Sequence, residues 1–105
     1  MANWKEKLTS ELRKIEGVED RPSPVAGGTA LFFRGKEFAH FHTDTELDLR
    51  LTKQRIRELG LTHPTDSFQH PRRSASSHWI ELRFESAREV AQVKRLVELL
   101  VEDMA

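Results

Sequence analysis

The sequence predicts an α+β fold, a two-layer sandwich in which helices cover one face of an antiparallel sheet. Residues 29–51 alternate apolar and polar side chains in three short segments, which is the period of strands. Residues 4–15 and 86–104 carry apolar side chains at helical spacing, and both segments begin with the spacing of a capping box. The predicted order is α-β-β-β-α-(β)-β-α. A chain of 105 residues has the usual size of one domain, so we expect a single domain over residues 1–105.

The first predicted helix lies near the start of the chain. Asn3 and Glu6 have capping-box spacing, and Gly17 is a typical helix stop. The apolar stripe of this helix is formed by Trp4, Leu8, Leu12 and Ile15. Prolines follow within residues 20–24. Because proline disfavours helix at the residue before it, we expect an irregular, extended connection there.

Three predicted strands follow, at residues 29–34, 37–42 and 46–51. Gly35 lies in the first short connection and residues 43–45 form the second, so we expect two hairpins. In the third strand, leucines alternate with the polar residues Glu46, Asp48 and Arg50. This alternation is typical of a sheet with one covered face and one face in water.

A short helix and a long loop come next. Thr52 is the expected N-cap of the helix, which ends at Gly60. Its inward side chains are expected to be Ile56 and Leu59. Residues 62–77 form a loop with two His-Pro pairs, and loops of this length in small domains are often functional. A short strand at residues 67–70 is the bracketed element of the predicted order.

A last strand and a last helix complete the pattern. The strand covers residues 78–84, and His78 is in phase with its apolar side chains, so we expect His78 in the core. The helix begins at Ser86, which has capping-box spacing to Glu89. Its apolar stripe is formed by Val90, Val93, Val97, Leu100 and Met104.

Composition excludes several classes of protein. Seventeen basic and seventeen acidic residues give no net charge, which argues against a protein that mainly coats nucleic acid or an anionic membrane. The absence of cysteine excludes thiolate zinc sites, iron–sulfur clusters and cysteine nucleophiles. No apolar run reaches the ~20 residues of a membrane span, and residues 1–10 do not resemble a signal peptide, so we expect a cytoplasmic protein without a membrane partner.

Two histidines are the main candidates for a site. His40 and His42 are two residues apart on a strand, so both side chains leave the same face and could be directed at one metal ion or one anion. The alternative is a polar strand end in water. We expect His63 as the third metal ligand, and the other candidates are His70, Asp44 and Asp66.

An aromatic residue and a basic group extend the list of candidates. Trp79 is out of phase with the apolar side of its strand. It is therefore expected either to form part of an exposed contact surface or to be covered by the long loop. The predicted ligand-binding residues are therefore His40, His42, His63 and Trp79. A second candidate is a group of basic residues. It could contact DNA phosphates, or it could simply form a solvated charged surface. Its members are Arg72, Arg73, Lys53 and Arg57, with Arg55 beside them.

The catalytic motifs that we searched for are missing from the sequence. Ser74, Ser76, Ser77 and Glu81 could serve in acid–base or nucleophilic chemistry, but no G-x-S-x-G motif surrounds them. No P-loop or dinucleotide fingerprint is present either. We therefore expect a binding domain rather than an enzyme.

Several segments resemble the luciferase-domain family, namely residues 27–32, 37–42, 49–52, 60–64 and the final strand and helix. The shared features are H-x-H at the end of the second predicted strand, a third strand of alternating leucines, a short helix ending in Gly and a following His-Pro. Residues 71–78 depart from the family pattern. The layout also resembles MmcQ/YjbR-like domains, and this second resemblance implies DNA binding through two wings.

The function expected from the sequence is binding of a small ligand or a protein partner by a histidine-bearing open face of the sheet. Two alternatives stay open, a DNA-binding domain of the MmcQ/YjbR-like type and a histidine-based metalloenzyme. No cofactor is identified, and a divalent metal is the candidate. A homodimer could form through the open face or through the last helix, where Leu96 and Leu99 widen the apolar stripe.

Overall fold

The computed structural model describes residues 3–23, 28–62 and 77–105. Their strands form one antiparallel sheet in the order β1-β2-β3-β4-β5. The elements, in chain order, are α1 (Trp4–Leu12), β1 (Val18–Pro22), β2 (Thr29–Phe33), β3 (Lys36–Thr43), β4 (Glu46–Arg50), α2 (Lys53–Glu58), β5 (Trp79–Arg83) and α3 (Ala87–Met104). The predicted α+β sandwich is confirmed. The strand predicted at residues 67–70 lies outside the described residues.

The helical layer is built on α1 and α3, which lie against each other. Asn3 Oδ1 accepts a hydrogen bond from Glu6 N at 3.0 Å, and Ser86 Oγ accepts one from Glu89 N at 3.2 Å, so both predicted N-caps are confirmed. One apolar cluster joins this layer to the sheet. Its fully buried members include Leu8, Leu12, Leu31, Leu47, Leu49, Ile80, Phe84 and Val97.

The predicted irregular connection at residues 20–24 is wrong over its first half, because β1 pairs there with β2. Val18 lies opposite Phe33 and Pro22 lies opposite Thr29. β1 is an edge strand, and Pro22 is its last residue, so the missing N–H of proline is tolerated there. The extended backbone that proline imposes on the residue before it is also the backbone of a strand.

Both predicted hairpins are confirmed, each with two residues in its turn. Between β2 and β3 the turn is Arg34 and Gly35, with φ angles of 51° and 83°. Positive φ at both positions is the requirement of a type I′ turn, whose twist matches that of the strands. Between β3 and β4 the turn residues are Asp44 and Thr45.

The short helix α2 differs from its prediction at one side chain. Ile56 is buried, as expected, but Leu59 is 43% exposed. The helix ends at Glu58, so Leu59 is already the C-cap and has left the inward stripe. None of the helices in the described residues combines the length and apolar character needed to cross a bilayer.

His78 is also placed differently from its prediction. It is exposed rather than in the core, because β5 begins one residue later, at Trp79. Its backbone O accepts from Thr52 N at 3.0 Å, and its Nδ1 accepts from Lys53 N at 3.1 Å. His78 therefore fixes the start of α2 to the start of β5.

Among the four described glycines, Gly17 is the one at which an added Cβ would overlap another side chain. Its φ is +87°, and a Cβ there would lie 2.8 Å from Phe33 Cε1. Gly60 has a similar φ of +65°, but a Cβ added there would have no atom within 4 Å.

We expect Gly17→Ala to lower the free energy of unfolding by about 1–2 kcal/mol because of the backbone conformation, and by about 1 kcal/mol or more in addition because of the overlap with Phe33. In urea unfolding, Gly60→Ala should show only the loss of stability that comes from the backbone conformation. Equal losses for Gly17→Ala and Gly60→Ala would contradict this account.

An ion pair joins α2 to the end of α3. Arg55 Nε and Nη2 donate to the two Asp103 carboxylate oxygens at 2.9 and 2.8 Å, and this hydrogen bonding lowers the pKa of Asp103. A carboxyl group whose pKa is lower in the folded state stabilises that state above its unfolded pKa and loses this effect as the pH falls through the folded pKa. We expect Asp103→Asn to melt below the parent protein at neutral pH, with the difference closing in acid.

Glu102→Gln is the matched control for this pair, because Glu102 is an exposed neighbour on the same helix. It should melt close to the parent protein across the pH range. A difference between Asp103→Asn and the parent that persists in acid would show that the carboxylate charge is not its cause.

Candidate functional site

The face of the sheet opposite the helices carries a row of polar side chains from three neighbouring strands. His40 on β3 lies opposite Asp48 on β4, and Asp48 lies opposite Glu81 on β5. Paired residues of an antiparallel sheet share a face, so these three side chains leave the sheet on the same side. We call this group, together with His42 and Trp79, the histidine face.

A β-bulge sets the position of His42. The pairing steps from Phe41 opposite Leu47 to Thr43 opposite Glu46, so His42 is the extra residue of β3. Bulges re-aim side chains and are frequent beside functional sites. Here the bulge leaves His42 Nδ1 at 3.4 Å from Glu81 Oε1, although β4 lies between their strands.

The polar groups of the histidine face are largely buried. The exposed fractions of the side chains are 21% for His40, 8% for His42, 3% for Asp48 and 1% for Glu81. The expectation that Asp48 lies on a face in water is therefore wrong. Carboxylates are seldom buried to this extent unless other groups compensate them, and the imidazoles of His40 and His42 lie beside these two carboxylates.

The geometry sets one imidazole against each carboxylate. His40 Nε2 lies 3.8 Å from Asp48 Oδ2, while His42 faces Glu81. One donor atom each from His40, His42 and Asp48 can be chosen so that all three lie within 4.8 Å of one another. Two nitrogens and one oxygen thus converge on one point of the sheet.

Trp79 lies at the side of this group. Its ring centroid is 5.2 Å from that of His40, and the His40 ring is in turn 5.2 Å from that of His42. Both ring pairs are tilted, by 48° and 54°. The structure therefore places His40, His42 and Trp79 next to one another, and Trp79 is half-buried rather than fully covered.

Sequence reasoning missed the role of the carboxylates. The third ligand is expected from the long loop or from Asp44, and His63, His70 and Asp66 of that loop lie outside the described residues. Among the described residues, the one that joins the two histidines is Asp48, from the neighbouring strand. Asp44 is exposed in the β3–β4 turn. Glu81 was singled out only as an isolated acid–base candidate. Cross-strand register brings these groups together, and register depends on the bulge at His42.

The remaining predicted site residues divide into two groups. Lys53 and Arg57 are exposed on α2, while their neighbour Arg55 is engaged by Asp103 and Glu58. The other predicted residues lie outside the described part of the chain, and they are His63, Asp66, His70, Arg72, Arg73, Ser74 and Ser76. The described residues therefore bring together His40, His42 and Trp79, whereas His63 and two members of the basic group, Arg72 and Arg73, lie outside them.

A family model places this geometry in context. The model of the Luciferase domain matches residues 35–99, which is more than half of the chain. The chain belongs to the Luciferase domain family. No curated protein and no solved structure matches it. All five residues of the histidine face lie inside the part matched by the Luciferase domain, whereas α1, β1 and β2 precede it.

The paired positions of Asp48 and Glu81 allow a test of what these carboxylates do. Like charges on directly opposed residues destabilise a sheet. We therefore expect the relief of this repulsion to offset what Asp48→Asn loses in its contact with His40, so that the free energy of unfolding of the ligand-free protein changes by no more than about 1 kcal/mol in either direction. If Asp48 were instead half of a buried structural ion pair, its neutralisation would lower the free energy of unfolding by about 3–5 kcal/mol.

Urea unfolding distinguishes the two results, and Glu46→Gln is the matched control on the same strand. Glu46 Oε2 accepts from Arg83 Nε at 3.1 Å on the next rung, so Glu46→Gln should lose some stability. A loss of several kcal/mol in Asp48→Asn would contradict the interpretation of Asp48 as part of a binding site.

Proposed function

We propose that this Luciferase-domain chain is a ligand-binding domain without catalytic activity, and that its ligand binds on the histidine face. The observation that carries the proposal is the burial of two carboxylates beside two imidazoles on one face of the sheet. Burying polar groups in this way costs folding free energy. Proteins keep such destabilising groups mainly where function needs them, so we interpret these side chains as a binding site.

The charge of the histidine face favours a cationic ligand. Asp48 and Glu81 contribute two carboxylates, and the imidazoles of His40 and His42 contribute nitrogen acceptors in their neutral form. An anion would meet both carboxylates at close range, whereas a cation would be attracted to them. The Trp79 ring adds a π surface beside His40, and aromatic rings also attract cations.

The other functions receive less support from the described residues. DNA binding would depend on Arg72, Arg73, Lys53 and Arg57, of which the described pair, Lys53 and Arg57, lies on α2 and not on a strand of the sheet. Enzymatic activity would need a bound substrate next to an acid, base or nucleophile. Binding requires only the geometry already described.

Amide NMR of the labelled protein tests this proposal, with zinc chloride, spermidine and inorganic phosphate as separate probes. We expect at least one of the two cations to shift amides of β3, β4 and β5 around His40, Asp48 and Glu81, and phosphate to leave them unchanged. The shifts should disappear in His40→Ala. They should persist in His78→Ala, which removes an exposed histidine outside the face.

Fluorescence offers an independent readout. The chain has two tryptophans, so Trp4→Phe leaves Trp79 as the only emitter, with its ring 5.2 Å from that of His40. A bound cation should change this emission with the same midpoint as the NMR shifts. Shifts with phosphate instead of the cations, or silence with all three probes, would contradict the proposal.

A further inference from the structure

We propose that the histidine face holds one divalent transition-metal ion, with His40, His42 and Asp48 as its ligands and Glu81 as the residue that orients His42. This inference rests on the proposed binding function and names the class of its ligand. It starts from the convergence of the three donor atoms within 4.8 Å.

The donor spacing is close to that of a metal site. Bonds from zinc to histidine nitrogen and carboxylate oxygen are about 2.0–2.2 Å long, so neighbouring ligand atoms around a tetrahedral ion lie about 3.4 Å apart. The His40 Nε2 to Asp48 Oδ2 distance is 3.8 Å. Because the three donors lie within 4.8 Å of one another, each pair needs to close by about 1.4 Å or less to match the bond lengths of a bound ion. Side-chain rotation provides this on strands whose backbone is fixed by the sheet.

The types of donor restrict the ion. Two imidazole nitrogens and one carboxylate oxygen suit zinc, iron(II), cobalt(II) and nickel(II), whereas calcium and magnesium prefer oxygen ligands throughout. The chain has no cysteine, so a thiolate site for copper(I) is excluded. Three protein ligands leave at least one position on the ion for water or another molecule.

Glu81 supplies the support that such sites use. A histidine that binds a metal commonly directs its other ring nitrogen to a carboxylate, which fixes the ring and raises its basicity. Glu81 Oε1 lies 3.4 Å from His42 Nδ1, which leaves His42 Nε2 to coordinate the ion. The carboxylate of Glu81 is 1% exposed and so has little freedom to turn toward water. Glu81 is therefore a positioning residue rather than a ligand.

Charge and burial agree with this assignment. Among the described residues of the histidine face, the carboxylates of Asp48 and Glu81 supply the charge that balances one divalent ion when both imidazoles are neutral, which is the form that binds metal. His42 and Asp48 are more than nine-tenths buried, so water competes weakly for them. His40 is the most exposed of the three ligands and lies beside Trp79, so the ion would enter on that side.

Cobalt(II) and zinc titrations of the chelator-treated full chain test the site. We expect one ion per chain, with visible absorption of cobalt(II) typical of low coordination and displacement of cobalt by zinc. His40→Ala, His42→Ala and Asp48→Asn should each weaken zinc binding about 100-fold or more, because each removes a ligand. Glu81→Gln should weaken it by about 10- to 100-fold while keeping the stoichiometry of one and a cobalt spectrum of the same type.

Two control variants keep the test specific. His78→Ala and Asp44→Asn each remove an exposed group of a ligand type outside the cluster, and both should bind zinc as the parent does. Amide spectra confirm that each variant is folded, and Asp48→Asn preserves the side-chain shape in case the alanine variants do not fold.

Three outcomes would overturn the inference. The first is that neither zinc nor cobalt binds the parent protein. The second is that zinc binds equally to parent and to Asp48→Asn. The third is that Glu81→Gln weakens binding no more than Asp44→Asn does. If the metals fail while spermidine still shifts the amides of the histidine face, the metal site is wrong and the proposed binding function survives. If every probe fails, both are wrong.

Discussion

Two extra residues in β3 determine which side chains share each face of the sheet. A two-residue turn makes Thr43 face Glu46, and a regular ladder would then set His42 against Leu47. The bulge at His42 moves Phe41 opposite Leu47 instead. On the other edge of the same strand, the irregularity in the β2–β3 pairing leaves Phe38 as the extra residue. Without these two bulges, apolar and polar side chains would mix on both faces.

The separation of apolar and polar side chains onto opposite faces of the sheet explains both the stability of the fold and the position of the histidine face. One face and the helices α1 and α3 contribute a continuous apolar cluster, including the edge-to-face contact of Phe41 with Phe84, whose centroids are 5.8 Å apart. That cluster is the main source of favourable free energy on folding. The opposite face carries Asp48 and Glu81 at paired positions, which costs free energy. The free energy gained by the apolar cluster thus offsets the cost of placing the two carboxylates opposite each other.

Much of the fold could be predicted from local patterns, and much of the site could not. Caps at Asn3 and Ser86 and the two hairpins depend on neighbours in sequence, so they were predicted. The strand β1 was missed because a proline near its end resembles a loop. Alternation assigned Asp48 to the correct face but cannot tell whether that face meets water. The bulge at His42 could not be predicted, because the expected connection of residues 43–45 would also pair Phe41 with Leu47 without a bulge.

The central claim is that the two histidines and Asp48 bind one ion directly. X-ray absorption at the zinc edge of the protein loaded with one equivalent of zinc tests this most directly, because scattering from imidazole rings differs from that of water. The account predicts nitrogen and oxygen neighbours at about 2.0–2.2 Å with the outer-shell signal of two imidazoles, and a signal of one imidazole in His42→Ala. A shell of water alone, or two imidazoles retained in His42→Ala, would contradict it.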